Sequence, residues 1–159
     1  MQRRTSKTII KIALALLSIF SVICLSSCEA IQKWAEGDEK ATNCLDEFCA
    51  ALSAGDYDTA YSKTHPDAFK TKDDLISMIT DIENEYNVDF SLGVSLREYY
   101  DLGMLFYDSE YGGSAHMLAY TSRIGKIEAN IYATVVDSKT GYGIYEFEIE
   151  LYSMPEFKI

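Results

Sequence analysis

Apolar residues between positions 41 and 87 recur with the period of an α-helix. Their spacing predicts helices over residues 41–54, 57–63 and 71–87, each with one apolar face. Pro66 ends the second helix, because proline lacks a backbone N–H and disfavours helix at His65 before it. The third stripe is the most regular and comprises Leu75, Met78, Ile79, Ile82 and Tyr86.

Residues between these helices predict where each one starts and stops. Gly55 is a stop signal, because glycine accepts the left-handed backbone that closes a helix. Asp56 is placed to cap the second helix by accepting hydrogen bonds from its first turn. Thr71 and Asp74 have the spacing of a capping box at the start of the third helix.

After Asn87 the apolar residues alternate with polar ones, which is the period of a β-strand. Residues 88–96 allow a short strand, and the turns predict four longer ones over residues 97–108, 114–123, 126–136 and 143–152, with Gly103 as a bulge. On the last strand one face carries Tyr145, Phe147, Ile149 and Leu151, and the other carries Glu146, Glu148 and Glu150. Helices followed by strands predict an α+β fold: three N-terminal helices on a curved antiparallel sheet of four to six strands.

The N-terminus carries a cluster of basic residues and then an apolar run over residues 12–25, as secretory signal peptides do. That run is too short to span a bilayer comfortably. The stretch Leu25-Ser26-Ser27-Cys28 resembles the lipobox of bacterial lipoproteins, and Cys24 fits that pattern less well because bulky residues precede it. The resemblance implies removal of residues 1–27 and lipidation of Cys28; a plain signal peptide with a chance cysteine is the alternative.

By that resemblance, residues 28–40 are a lipidated N-terminus and tether, and residues 41–159 are the folded domain. The protein would then be anchored to the cell membrane by lipid and face outside the cytoplasm. Its formal net charge is −11, and the removed segment contains four of the 14 basic residues and no acidic one. Such a charge repels phosphate backbones and anionic headgroups, so we expect no nucleic-acid partner and membrane binding through acyl chains alone.

The cysteine and histidine residues do not form a metal pattern. Cys44 and Cys49 are five residues apart in one predicted helix, which puts their Cα atoms beyond the roughly 7 Å that a disulfide spans. We therefore predict two small, partly buried side chains; a bridge would require the helix to begin later. With His65 and His116 they match no zinc spacing, so neither a metal nor a cofactor is expected.

Residues 48–61 (FCAALSAGDYDTAY) resemble the opening of nuclear-transport-factor-2-like domains, which are cystatin-like α+β cones. A helix that ends in an aromatic residue, small residues and Gly-Asp carries the likeness, and the element order over residues 41–153 agrees with it. The resemblance implies a binding or interaction module for a small ligand or a cell-envelope protein, and lookalikes often form homodimers. A pocket enzyme of isomerase or cyclase type, or a dimerising structural spacer, are the alternatives.

Four residues are candidates to line the implied pocket, namely Tyr61, Tyr100, His116 and Tyr120. In an isomerase-like site His116 would be a base and a tyrosine would hold an oxyanion. The plainer interpretation is that His116 is exposed or satisfied and that the tyrosines are ordinary sheet aromatics. No nucleophile, phosphate-loop or dinucleotide motif is present in the sequence, so we lean towards a non-enzyme.

The alternating glutamates Glu146, Glu148 and Glu150 have two interpretations. Their side chains would share one face of the last strand. They would bind a cationic surface or Ca²⁺, or they would form a solvated face that protects a sheet edge from pairing with another chain. The second interpretation is the more common one for a row of this kind.

Overall fold

The computed structural model describes residues 35–108 and 110–151. They form a first helix α1 (residues 35–53), then α2 (Tyr57–Ser62), α3 (Lys72–Tyr86), a 3-10 turn (Phe90–Leu92) and the strands β1 (Val94–Asp108), β2 (Gly113–Ile124), β3 (Ile127–Ser138) and β4 (Tyr142–Leu151). The strands make one antiparallel sheet in the order β1-β2-β3-β4. The α+β class and the predicted number of strands are therefore confirmed, and Thr64 adds one isolated parallel bridge to Ile144.

The helix boundaries follow local chemistry, as the sequence predicts. Gly55 has φ +68°, and Asp56 Oδ1 accepts from the Thr59 N–H at 3.0 Å. Thr71 and Asp74 form a reciprocal capping box, with the Asp74 N–H donating to Thr71 Oγ1 at 3.2 Å and the Thr71 N–H donating to Asp74 Oδ2 at 2.9 Å. These side chains satisfy backbone donors that a helix start leaves open.

The first helix extends further upstream than the apolar stripe indicates. The pattern predicts a start at Ala41, whereas the described chain is already helical at residue 35. Two residues upstream of Ala41 contact the strands: Tyr99 OH donates to Asp38, and Lys40 Nζ lies 3.6 Å from the centre of the Tyr142 ring. The hydrophobic pattern of the helix cannot predict these contacts, because they join charged residues of α1 to tyrosines on strands that are distant in sequence.

Strand β1 is long and irregular. It begins at Val94, so residues 88–96 contain a 3-10 turn and the start of β1 rather than a separate strand, which corrects that expectation. Its pairing with β2 shifts register three times, and one shift falls between Asp101 and Gly103, where φ of Gly103 is +129°. The predicted bulge at Gly103 is therefore confirmed.

The sheet has an inner face, which packs on the helices, and an outer face. The inner face carries the core residues of the strands, among them Leu118, Tyr120, Ile131, Val135, Phe147 and Ile149. Phe48 of α1 meets Phe147 edge to face at 5.1 Å between ring centres. A register shift between Thr134 and Val135 displaces Tyr145 from the inner row, so Tyr145 does not share a face with Phe147 as the alternation predicts.

Candidate functional site

The structure does not bring the four candidate pocket residues together. Tyr61 lies on α2, and its hydroxyl is within 3.5 Å of the Phe69 and Lys70 carbonyl oxygens. Tyr100 is 52% exposed and pairs with Ala119, whereas its neighbour Tyr99 pairs with inner-face Tyr120. Successive strand residues alternate between faces, so Tyr100 belongs to the outer face.

His116 and Tyr120 lie on the inner face of β2, on the same side as Leu118. His116 is only 6% exposed and pairs with Val135. Tyr120 is four positions further along the strand, which corresponds to about 13 Å. Their polar groups therefore belong to different neighbourhoods, and neither residue lines any of the three cavities that we describe within residues 35–108 and 110–151.

A tyrosine and carboxylate cluster surrounds Tyr120, and the sequence gives no signal for it. The Tyr99 and Tyr120 rings lie 5.1 Å apart, and Tyr99 OH donates to Asp38. Burial raises the pKa of Tyr120 to about 12, and the nearby carboxylates of Asp46 and Asp38 add to the shift. At neutral pH this phenol is a hydrogen-bond donor and not a base, because its charged form is unfavourable there.

His65 and Ser138 form a second polar cluster, 73 residues apart in sequence. His65 is 0% exposed, its Nε2 lies 2.9 Å from Ser138 Oγ, and its Nδ1 accepts from the Asp67 N–H at 3.2 Å. Ser138 Oγ also lies 2.8 Å from Thr140 Oγ1, which donates to Asp67 Oδ2 at 2.5 Å. The cluster ties the loop after α2 to the β3–β4 hairpin.

The hydrogen bonds of His65 set its tautomer and exclude a serine-nucleophile role in this arrangement. Because Nδ1 accepts from a backbone N–H, the ring proton lies on Nε2, and Nε2 donates to Ser138. A general base would need a free lone pair on Nε2 towards that hydroxyl. The Asp67 carboxylate is 3.9 Å from Nδ1, so it does not orient the ring as a triad acid does. We therefore assign this cluster a structural role.

Both described cysteines are free and buried, in agreement with the helical spacing. Burial raises the pKa of the Cys44 and Cys49 thiols, which makes them poor nucleophiles. Within the part of the chain that the structure describes, no group of three or more His, Cys, Asp or Glu residues is placed to hold a metal ion.

One cavity of about 300 Å³ lies beside Cys44, lined by Lys40, Asn43, Cys44, Glu47, Ser62, Lys63 and Tyr142. Its cations already have partners: Lys63 pairs with Glu47, and Lys40 Nζ is 3.4 Å from Asp137. Each lysine that lines this cavity therefore has a carboxylate close by, one from within the lining and one from β3. Another cavity, of about 590 Å³, lies near the β2–β3 turn between apolar side chains that include Leu92, Ile124 and Ile127.

The outer face holds the third cavity, a groove of about 250 Å³ lined by Leu102, Met117, Leu118, Tyr132, Ala133, Thr134, Glu146 and Glu148. Leu102 is 53% exposed and, with Tyr100 and Leu92, is one of the three large apolar or aromatic side chains exposed among the described residues. Two of those three, Tyr100 and Leu102, therefore lie on β1, and the groove extends from Leu102 across β2 and β3 to the glutamates of β4. A solvent-facing apolar strip next to charge is typical of an interaction surface.

The described residues thus define an α+β domain with its helices on one face of the sheet. The other face carries a groove that has an apolar floor and glutamates at one side. No family model, no curated protein and no solved structure matches the chain. Within residues 35–108 and 110–151, no helix combines the length and the apolar content that crossing a bilayer requires.

Proposed function

We propose that this protein is a lipid-anchored, extracytoplasmic binding module whose outer sheet face docks a partner protein of the cell envelope. The apolar strip of Tyr100 and Leu102 beside the groove is the observation that carries the proposal. Burying such side chains against a partner removes apolar surface from water, which is the main driving force of protein association.

The anchoring half of the proposal rests on the N-terminal sequence, which lies outside the described residues. Leu25-Ser26-Ser27-Cys28 follows a basic start and a short apolar core, the order that lipoprotein signals use. Two or more acyl chains are needed for stable attachment, and the resemblance implies that number. The acidic domain would add no attraction to anionic lipid.

Two features support the finer assignment to a cystatin-like, nuclear-transport-factor-2-like cone. Three helices precede a four-stranded meander, and Gly55-Asp56 closes the first helix and caps the second. The three register shifts in β1 are bulges, and bulges bend a strand and increase its twist. A curved sheet with helices on its inner face is the expected result.

The binding role has better support than the enzyme alternative. A pocket isomerase needs an acid, a base and an oxyanion donor within reach of one substrate atom. His116 and Tyr120 face the core at separate positions, while Tyr61 and Tyr100 lie elsewhere. The outer face, in contrast, gathers its apolar and charged groups in one accessible groove.

The first prediction concerns the anchor. Cys28→Ala should leave an uncleaved precursor or release the protein from membranes, because the thiol that carries the lipid is lost. Membrane fractionation and intact mass of the purified chain measure both effects. Cys24→Ala is the matched control and should still yield a mature, membrane-bound protein. A Cys28→Ala protein that is cleaved and partitions like the parent would show that the anchoring proposal is wrong.

The second prediction concerns the docking face. A photo-crosslinking amino acid at position 102 should capture one discrete partner in the native cells, and the same group at exposed Asn84 of α3 should not. After identification by mass and separate production, that partner should bind Leu102→Asp at least tenfold more weakly than the parent chain. Asn84→Asp adds the same charge on a helix and should bind normally. Equal loss in both variants, or no adduct from position 102, would contradict a binding role for this face.

The crosslinking experiment also separates the remaining alternatives. An adduct with twice the mass of one chain would support the dimerising spacer instead of a heterologous partner. An adduct of unchanged protein mass plus a small molecule would support a ligand-binding groove. Either adduct would contradict a heterologous protein partner and would identify the occupant of the groove as a second copy of the chain or as a small molecule.

A further inference from the structure

We infer that the segment docked on the outer face is basic and extended, with Lys or Arg at alternate positions and apolar side chains between them. This inference rests on the proposed function and specifies the chemistry of the partner. Three observations support it: the apolar floor of the groove, the positioned carboxylates along β4, and the absence of described cations that neutralise those carboxylates.

The floor of the groove is apolar and open. Leu102 and Met117 line it together with Tyr132 and the Thr134 side chain. Leu102 is more than half exposed, so its free surface is available to a partner. A Leu- or Met-sized side chain would fit a volume of about 250 Å³ and bury the surface that is now in water.

Hydroxyl groups hold the carboxylates of the β4 row in place. Thr134 Oγ1 donates to Glu146 Oε2 at 2.7 Å, and Tyr111 OH lies 3.4 Å from the same oxygen. Tyr132 OH donates to Glu150 Oε2 at 3.1 Å. These bonds fix the charges without neutralising them, so less side-chain entropy is lost when a cation binds.

No described cation pairs with the glutamate row. Among the described residues, Glu146, Glu148 and Glu150 form no ion pair, whereas Lys40, Lys63, Lys72 and Arg97 each pair with a carboxylate elsewhere. Alternate strand residues repeat at about 6.6 Å, which is also the spacing of alternate side chains in an extended peptide. A peptide that lies on the outer face would therefore direct Lys or Arg at every second position towards the glutamates of β4, and the apolar side chains between them towards Leu102 and Met117. The tyrosine rings beside the row favour cations further.

Charge also argues against the other occupants. A second copy of this chain, with its net charge of −11, would be repelled, as would nucleic acid or an anionic membrane. A Ca²⁺ ion needs six or more converging oxygens, and the described residues include no cluster that could hold a metal. A basic polypeptide is the occupant that the groove complements.

Peptide binding to the full chain in neutral-detergent micelles tests this inference. The probe is a short fluorescent peptide of alternating Lys and Leu, and its anisotropy reports binding. A Glu–Leu peptide and a Lys–Ser peptide are the comparison probes. The Lys–Leu peptide should bind most tightly, and its affinity should fall when salt rises from about 50 to about 300 mM, because exposed charge pairs are screened.

Two double variants separate local recognition from net charge. Glu146→Gln with Glu148→Gln should weaken Lys–Leu binding roughly tenfold. The matched control, Asp73→Asn with Asp81→Asn on exposed positions of α3, removes the same charge and should change binding less than twofold. Circular dichroism verifies that both proteins fold.

Three outcomes would overturn the inference. If both double variants weakened binding of the Lys–Leu peptide equally, the protein's overall charge alone would explain the effect. If the Glu–Leu peptide bound as tightly as the Lys–Leu peptide, the groove would have no preference for a basic segment. An acidic partner captured at position 102 would contradict the basic segment and still leave the proposed docking face intact. Loss of that crosslink altogether would contradict the docking face itself, so the two failures are distinguishable.

Discussion

Gly143→Ala should destabilise the fold by about 3 kcal/mol or more, because β4 passes too close to the loop after α2 for any side chain. A Cβ at this position would lie 2.5 Å from the Thr64 carbonyl carbon and 2.6 Å from Lys63 O. Those are backbone atoms, and they are held there by hydrogen bonds from Ile144 N to Lys63 O (2.9 Å) and from His65 N to Ile144 O (2.8 Å). To accommodate the new methyl group, the substituted chain must break these two hydrogen bonds or bend β4.

Chemical denaturation of the full chain measures the loss, and Gly112→Ala is the matched control. Gly112 also has a positive φ, +67°, but nothing lies within 4 Å of a Cβ built there. Its substitution should cost about 1 kcal/mol, the strain of a left-handed alanine. If Gly143→Ala cost no more than Gly112→Ala, the close approach of the two backbone segments would be wrong.

Local signals explain which parts of the fold were predictable from sequence. The capping box at Thr71 and the stop at Gly55 involve residues that are close in sequence, so their geometry is encoded where it occurs. The helical stripe of α3 likewise needs only its own period. Leu75 and Ile79, two members of that predicted stripe, are fully buried.

Irregular pairing explains most of what the alternation pattern missed. Three register shifts in β1 mean that odd and even positions do not keep to one face along the strand. Leu96, at an even position, pairs with buried Ser122, and Tyr99, at an odd position, pairs with inner-face Tyr120, so one alternation does not hold along the whole of β1. The register shift between Thr134 and Val135 likewise moves Tyr145 out of the inner row. Its ring contacts Tyr111 instead, at 5.1 Å between ring centres.

The candidate site was only partly predictable, for a related reason. The alternation correctly grouped His116 with Leu118 and Tyr120, since that grouping depends on β2 alone and β2 pairs with β3 without a register shift. It could not show that Tyr100 lies on the opposite face. It also could not show which distant groups surround Tyr120, because Asp38 and Asp46 come from α1. The glutamate row was visible in sequence, but Leu102, which lines the same groove, comes from β1 at the opposite edge of the sheet.

His65→Ala should destabilise the fold by about 3 kcal/mol, because it leaves a cavity and removes the link between the α2 loop and the β3–β4 hairpin. The side chain is completely buried, and both ring nitrogens are hydrogen-bonded. The Asp67 N–H would lose its acceptor, which adds the cost of an unsatisfied donor. His65→Asn keeps an acceptor near the position of Nδ1 and should recover about 1 kcal/mol of that loss.

Ser138→Ala tests whether His65 and Ser138 act together. It removes the acceptor of the Nε2 proton and the two contacts of the same hydroxyl with Thr140 Oγ1 and the Thr140 N–H, so we expect a loss of about 1 kcal/mol or more. In the background of His65→Ala the same change should cost less, because the hydrogen bond that joins the two residues is already absent. Denaturation of the two single variants and the double variant measures this coupling. Additive losses would show that His65 and Ser138 act independently, and the buried histidine would then need a role other than fastening the hairpin.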